Sequence, residues 1–273
     1  MIGTFCADFW LFKKGRNIVA ESSQIVASLL AFYLIFVMPL FGPWRYRRFQ
    51  RRMARGLDGR VRYYRWMIAT QWLRLMLVGI VAFLGAVPLS MFGLDVPDYG
   101  WLWSQGIPVS SPWVVTFFLL VVFGLLALLG AVLTRRRLER PGQINRYRQL
   151  QNIKDLLPHT VQERYLWLMV SVSAGICEEI VYRGFLPWYF LRGISGLQTT
   201  FFWGVVLSTI IFALAHSYQG LKGVIGTAML GALLAYLYFI TDSLLASIIL
   251  HAFLDMRILW YAPTILRLTS QYE

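Results

Sequence analysis

Charge is scarce in this chain. Only 14% of its 273 residues are Asp, Glu, Lys or Arg, against roughly 25% in soluble domains, while 58% are hydrophobic. An ordinary water-soluble fold is excluded by that balance. Acidic residues are scarcest, with 13 Asp and Glu against 26 Lys and Arg and a net charge of +13. Cysteine is nearly absent: Cys6 and Cys177 lie far apart and offer neither a disulfide framework nor a CxxC metal site. A cleavable signal peptide is not expected either. The first apolar stretch is broken by Asp8 and followed by Lys13, Lys14 and Arg16, without a small-residue cleavage pattern.

The basic residues are placed as blocks. Nine arginines fall between Arg45 and Arg65, and eight more basic residues fall between Arg135 and Arg164. Between Arg74 and Arg135 there is neither Lys nor Arg. Nucleic-acid binding would interleave basic residues with exposed aromatics on one face, so a nucleic-acid partner is not expected. Two basic blocks around a long apolar stretch are instead the positive-inside pattern of a multi-pass membrane protein. The blocks face anionic lipid.

A helix needs about 20 apolar residues to cross a bilayer. On that ruler seven spans are expected: Ser22–Gly42, Trp66–Phe92, Pro112–Thr134, Leu166–Trp188, Thr199–His216, Leu221–Ile240 and Ser243–Ala262. Each must be helical, because an unpaired backbone in hydrocarbon is too costly. The fold class is therefore all-α, a polytopic transmembrane helix bundle. With basic loops 43–65 and 135–165 in the cytoplasm, the Arg-free loop 95–111 and the N-terminus lie outside and the tail 263–273 inside. An interfacial helix over Phe5–Phe12 would raise the count to eight. The connector Pro141–His159 reads as solvated. Thr227, Gly231 and Ala235 recur every four residues, a small-residue stripe that invites close approach of another helix.

Ionisable side chains inside a membrane are expensive and mark function. The acids within spans are Glu178, Glu179 and Asp255; the bases away from span ends are Arg74, Arg183 and Arg257; two of three histidines, His216 and His251, join them. Glu179 and Arg183 are four apart, as are His251 and Asp255, so each pair shares a helix face. Glu179 with Arg183 reads as a local ion pair, either a packing element or part of a site, and Asp255 as a group that orients His251. Glu178 lies about 100° around the helix from Glu179, has no cation on its own face and suits a general base, completed by His216 or His251 holding a water. A thiol mechanism at Cys177 and a Zn²⁺ set of His216, His251 and Glu178 are alternatives; no cofactor is preferred.

The stretches Glu178-Glu179-Ile-Val-Tyr-Arg183, Phe212-Ala-Leu-Ala-His216 and His251-Ala-Phe-Leu-Asp255 resemble the motifs EExxxR, FxxxH and HxxxN/D of the CPBP family. That family holds the type II CAAX prenyl endopeptidases and related bacterial proteins, some linked to bacteriocin self-immunity. The resemblance implies an intramembrane endopeptidase with a conical, cavity-lining catalytic half. Glu178 and His216 would activate water, His251 and Asp255 would assist at the tetrahedral intermediate, and Glu179 and Arg183 would support them. Asp255 stands where many members carry Asn, which weakens it as a neutral oxyanion donor.

The chain is thus read as a variable membrane region (1–165), a catalytic transmembrane region (166–262) and a tail (263–273). The expected setting is a bacterial cytoplasmic membrane, with membrane-associated proteins or peptides as substrates. The alternatives from other classes are an immunity or scaffold protein that cleaves nothing, and a proton-coupled carrier using the same carboxylates. One geometric conflict stands. With straight spans of ordinary length, His216 and Glu178 sit at different depths, so Gly184–Gly196 is expected to bend or re-enter, with the fifth helix extending through Tyr218.

Overall fold

The computed structural model describes residues 21–56, 59–100, 102, 111–138, 154–192 and 201–272, and among them all regular structure is helical. The expected Phe5–Phe12 helix, Cys6, Lys13, Lys14, Arg16, connector residues 141–153, loop residues 101 and 103–110, and Gly193 and Gly196 lie outside the described residues. Ten α-helices follow in order: α1 (Glu21–Phe32), α2 (Met38–Met53), α3 (Arg60–Leu84), α4 (Pro112–Leu138), α5 (Val161–Glu179), α6 (Leu186–Arg192), α7 (Phe201–Ala215), α8 (Leu221–Thr241), α9 (Leu245–Met256) and α10 (Ile258–Tyr272).

Two π-helical segments weld neighbours together, Tyr33–Val37 between α1 and α2 and Ile180–Phe185 between α5 and α6. Six stretches are long and apolar enough to cross a bilayer: Ser22–Met53, Arg60–Leu84, Pro112–Arg136, Val161–Leu191, Leu221–Thr241 and Leu245–Arg267. The seventh expected span is the shorter apolar helix α7. The protein is a polytopic helical membrane bundle. Its lipid-facing surface is correspondingly apolar: Phe117, Phe118, Val122 and Leu125 of α4 point outward, where a soluble protein would place polar groups.

Several boundaries differ from the sequence reading, most of them because helix does not stop where hydrocarbon does. Arg45, Arg47, Arg48, Arg51 and Arg52 lie on α2 rather than in a loop, and Arg135 to Arg137 extend α4. Arginine is a good helix former, so a basic block prolongs a helix past the bilayer. The tail expected from 263 is helical to Tyr272, and the last span runs to Arg267. The second span ends at Leu84, and Leu89–Phe92 forms a separate 3₁₀ turn.

α5 is the centre of the bundle. Along the stretch Val161–Leu191, 61% of the apolar window is buried inside the protein, against 35% or less in the other spans. α3 packs on one side of it and α9 on the other. α3 runs parallel to α5, as Arg60 lies 3.8 Å from Glu163 at one end and Gln71 reaches Glu178 further up. A capping box starts α5: the Glu163 N–H donates to Thr160 Oγ1 at 3.2 Å and the Thr160 N–H donates to Glu163 Oε2 at 3.0 Å. That arrangement satisfies two orphan amides at the helix start.

Candidate active site

Successive glutamates on one helix project about 100° apart, and the two here have different surroundings. Glu179 is fully buried and accepts a 2.9 Å hydrogen bond from Arg183 Nη1, itself 1% exposed. The π segment that starts at Ile180 contains Arg183 and turns its guanidinium over the Phe212 ring, 4.2 Å from the centroid. Gly231 makes room for it, because a Cβ there would lie 3.1 Å from Arg183 Nη2. The expected small-residue stripe on α8 therefore accommodates a buried cation as well as a helix.

His251 arrives from α9. Its Nδ1–H donates to Glu179 Oε1 at 2.6 Å, while Nε2 lies 3.8 Å from Asp255 Oδ2. Asp255 was expected to orient this ring; the shorter bond comes from Glu179 on another helix, and Asp255 stands at the opposite nitrogen. Gly175 allows the approach. A Cβ at that position would lie 2.7 Å from the Ile248 carbonyl oxygen and 2.9 Å from Ala252 Cβ, so any larger residue would push α9 away from α5.

Glu178 points the other way. One oxygen accepts from Gln71 Nε2 at 3.2 Å, and the other lies 3.9 Å from His216 Nε2. His216 Nδ1 is 2.8 Å from the Phe212 carbonyl. A carbonyl only accepts, so the proton is on Nδ1 and Nε2 is left facing Glu178.

The two residues meet while the described part of the expected bend, Gly184–Arg192, is helical throughout, which corrects the expectation over those residues. α5, the π segment and α6 form one rod through Arg192, and α7 packs back along it. Glu178 is 14 residues before Arg192 and His216 is 15 residues after Phe201, roughly 22 Å along the helix in each case. Nor does α7 extend through Tyr218; it ends at Ala215, and Ser217–Gln219 forms a 3₁₀ turn. The conflict arose because the fourth span was measured too short and the fifth too long. A hydroxyl bond from Ser208 to the Tyr182 carbonyl ties the hairpin together.

A cavity of about 650 Å³ opens over these groups, and Glu178, His216, His251 and Asp255 line it. Glu179, Arg183 and Cys177 do not line it, and the Cys177 side chain is buried. One wall is apolar, with Phe123, Leu126 and Ala127 of α4 facing Gly226, Thr227 and Leu230 of α8. Tyr218 also lines the cavity; burial pushes its hydroxyl up to about 12, so it serves as a neutral hydrogen-bonding group. Among the described residues no three His, Cys, Asp or Glu are arranged to hold a metal ion.

Gln71 and Tyr218 escaped the sequence reading because an inventory of charged groups passes over amides and phenols. Gln71 carries a detectable signal, since it lies three residues from Arg74 inside an apolar span and so shares its helix face.

Residues 160–257 match the family described as type II CAAX prenyl endopeptidase Rce1-like. All three motifs fall inside that segment, in agreement with the resemblance to the CPBP proteases, and it supports a membrane protease. Neither the curated proteins nor the solved structures include a match to the chain.

Proposed function

We propose that the chain is an intramembrane endopeptidase in which Glu178 and His216 activate water against a peptide bond. The observation that carries this reading is the juxtaposition of Glu178 and His216 Nε2, 3.9 Å apart and facing one cavity. That separation exceeds a direct hydrogen bond and suits a bridging water. Glu178 takes a proton from the water as its oxygen adds to the scissile carbonyl carbon. His216 Nε2, an acceptor in this tautomer, orients the water. The proton then passes to the departing amine as the C–N bond breaks.

His251 and Asp255 line the cavity one helical turn apart; the ring assists at the tetrahedral intermediate by donating from Nε2 when it is charged, and Asp255, which can only accept when ionised, supports that charge instead of meeting the oxyanion itself. Glu179 and Arg183 lie behind His251 and hold it. The reading takes its water activation from Glu178 and His216, without a metal. The Rce1-like match favours substrates with a prenylated C-terminus, and the apolar α4–α8 wall suits a lipid-embedded chain. In a bacterial cytoplasmic membrane, the arginines of α2 and α3 would rest against anionic lipid, at about 1 kcal/mol each.

The test uses purified protein in liposomes with a library of membrane-proximal peptides, some prenylated at a C-terminal cysteine, and products identified by mass spectrometry in ¹⁸O-water. Discrete cuts carrying ¹⁸O at the new C-terminus, lost in His216→Ala, are expected. Absence of cuts by the wild type, or cuts that persist in His216→Ala, would overturn the reading.

A further inference from the structure

We propose that Gln71 and Arg74 of α3 are positioning residues for Glu178, so that a helix outside the Rce1-like segment completes the site. The inference rests on the reading of Glu178 as the base.

Gln71 is 3% exposed, and its amide donates to Glu178 Oε1 at 3.2 Å. Glu178 has no cation on its own helix face, and Arg183 is held by Glu179. The bond from Gln71 therefore fixes one carboxylate oxygen and leaves Oε2 directed at His216. A free carboxylate would rotate about its last torsion and lose that aim, as such terminal torsions are broad.

Arg74 sits one turn further along the same face of α3 and is 7% exposed. Its Nη1 donates to the Met38 thioether at 3.2 Å, and Tyr33 OH donates to the same sulfur at 3.3 Å. A thioether is a weak acceptor, a poor counterpart for a guanidinium inside a membrane bundle. Arg74 lies on the face of α3 from which Gln71 reaches Glu178, and the cavity does not touch it. The cation thus lies behind the carboxylate, on the helix face that fixes it, as a buried charge that favours one placement of Glu178 and does not contact substrate. Met38 closes the π segment of the first span, which turns the thioether toward α3. A buried charge in this setting is expensive and persists where it has a role.

The test measures steady-state cleavage of a quenched-fluorescent, C-terminally prenylated peptide in liposomes by the wild type, Glu178→Gln, Gln71→Leu, Arg74→Met and Arg74→Lys, with thermal unfolding followed in parallel. A hydrogen bond to a charged group corresponds to about a tenfold effect or more. Gln71→Leu and Arg74→Met are expected to lower kcat about tenfold with KM and unfolding midpoint unchanged, and Arg74→Lys to recover most of the rate. If Glu178→Gln is inactive while Gln71→Leu and Arg74→Met cleave at the wild-type rate, the proposal fails and Glu178 keeps its role. If both variants lose rate only in step with folding, or if Arg74→Lys is no better than Arg74→Met, the proposal also fails. Cleavage by Glu178→Gln would instead overturn the functional reading beneath it.

Discussion

His251 donates to Glu179 across 2.6 Å of buried space, joining α9 to α5 at the point where Arg183 also holds Glu179 Oε1. One carboxylate oxygen thus anchors a ring from another helix and a guanidinium from its own. The neighbouring Glu178 is left to face the cavity. Two adjacent glutamates have different duties because one faces the protein and the other an opening.

That anchor predicts a stability effect separate from chemistry. Arg183→Leu would leave the buried Glu179 without its guanidinium and with the His251 bond still in place, and removing one partner of a buried pair costs about 3–5 kcal/mol. Arg183→Leu should unfold well below the wild type in detergent, and the double variant Glu179→Leu with Arg183→Leu should regain part of the loss. An unfolding midpoint unchanged in Arg183→Leu would contradict the anchoring role.

Gly175 fixes the distance between α5 and α9. Gly175→Val would overpack that contact by about 1–3 kcal/mol and move His251 from Glu179. Cleavage should fall at least tenfold while the protein remains folded, as read by peptide turnover and thermal unfolding together. Full activity in a folded Gly175→Val protein would show that this spacing is not limiting.

The corner between α8 and α9 offers a pH signature. Desolvation, with Asp98 and Asp95 nearby, holds the Asp242 carboxyl above its ordinary range. The folded state therefore binds more protons there than the unfolded chain, and stability falls as pH rises from the unfolded value toward the folded one. Asp242 has φ 49°, a left-handed conformation that Asn also tolerates. Asp242→Asn should unfold at a higher temperature than the wild type at pH 7 and at the same temperature near pH 3. Equal midpoints at both pH values would contradict this account.

The sequence made the bundle legible because a bilayer imposes a length and a polarity on each span, and it exposed the buried acids because charge in an apolar run stands out. Three things were not legible. Helix ends were misplaced where arginines prolong a helix beyond hydrocarbon, as on α2. The meeting of Glu178 and His216 depends on the span Val161–Leu191 being 31 residues long while α7 has 15, and hydropathy alone does not separate a tall helix from a bent one. His251 pairing with Glu179 needs the close approach at Gly175, which no spacing within α9 encodes; the i,i+4 rule pointed to Asp255.

Chelation separates the two ways the same residues could activate water. Prolonged EDTA treatment and dialysis should leave cleavage intact, with substoichiometric metal by elemental analysis. Activity lost on chelation and restored by one equivalent of Zn²⁺ would replace the glutamate reading with a metal-centred one.

The most direct measurement is the turnover of a prenylated, quenched-fluorescent peptide by purified Glu178→Gln in liposomes, beside a wild type of equal unfolding midpoint. Loss of a general base costs about 10²–10⁴-fold in rate. The account predicts a drop of at least about a hundredfold, with the variant still folded. Glu178→Gln cleaving at more than half the wild-type rate would contradict it.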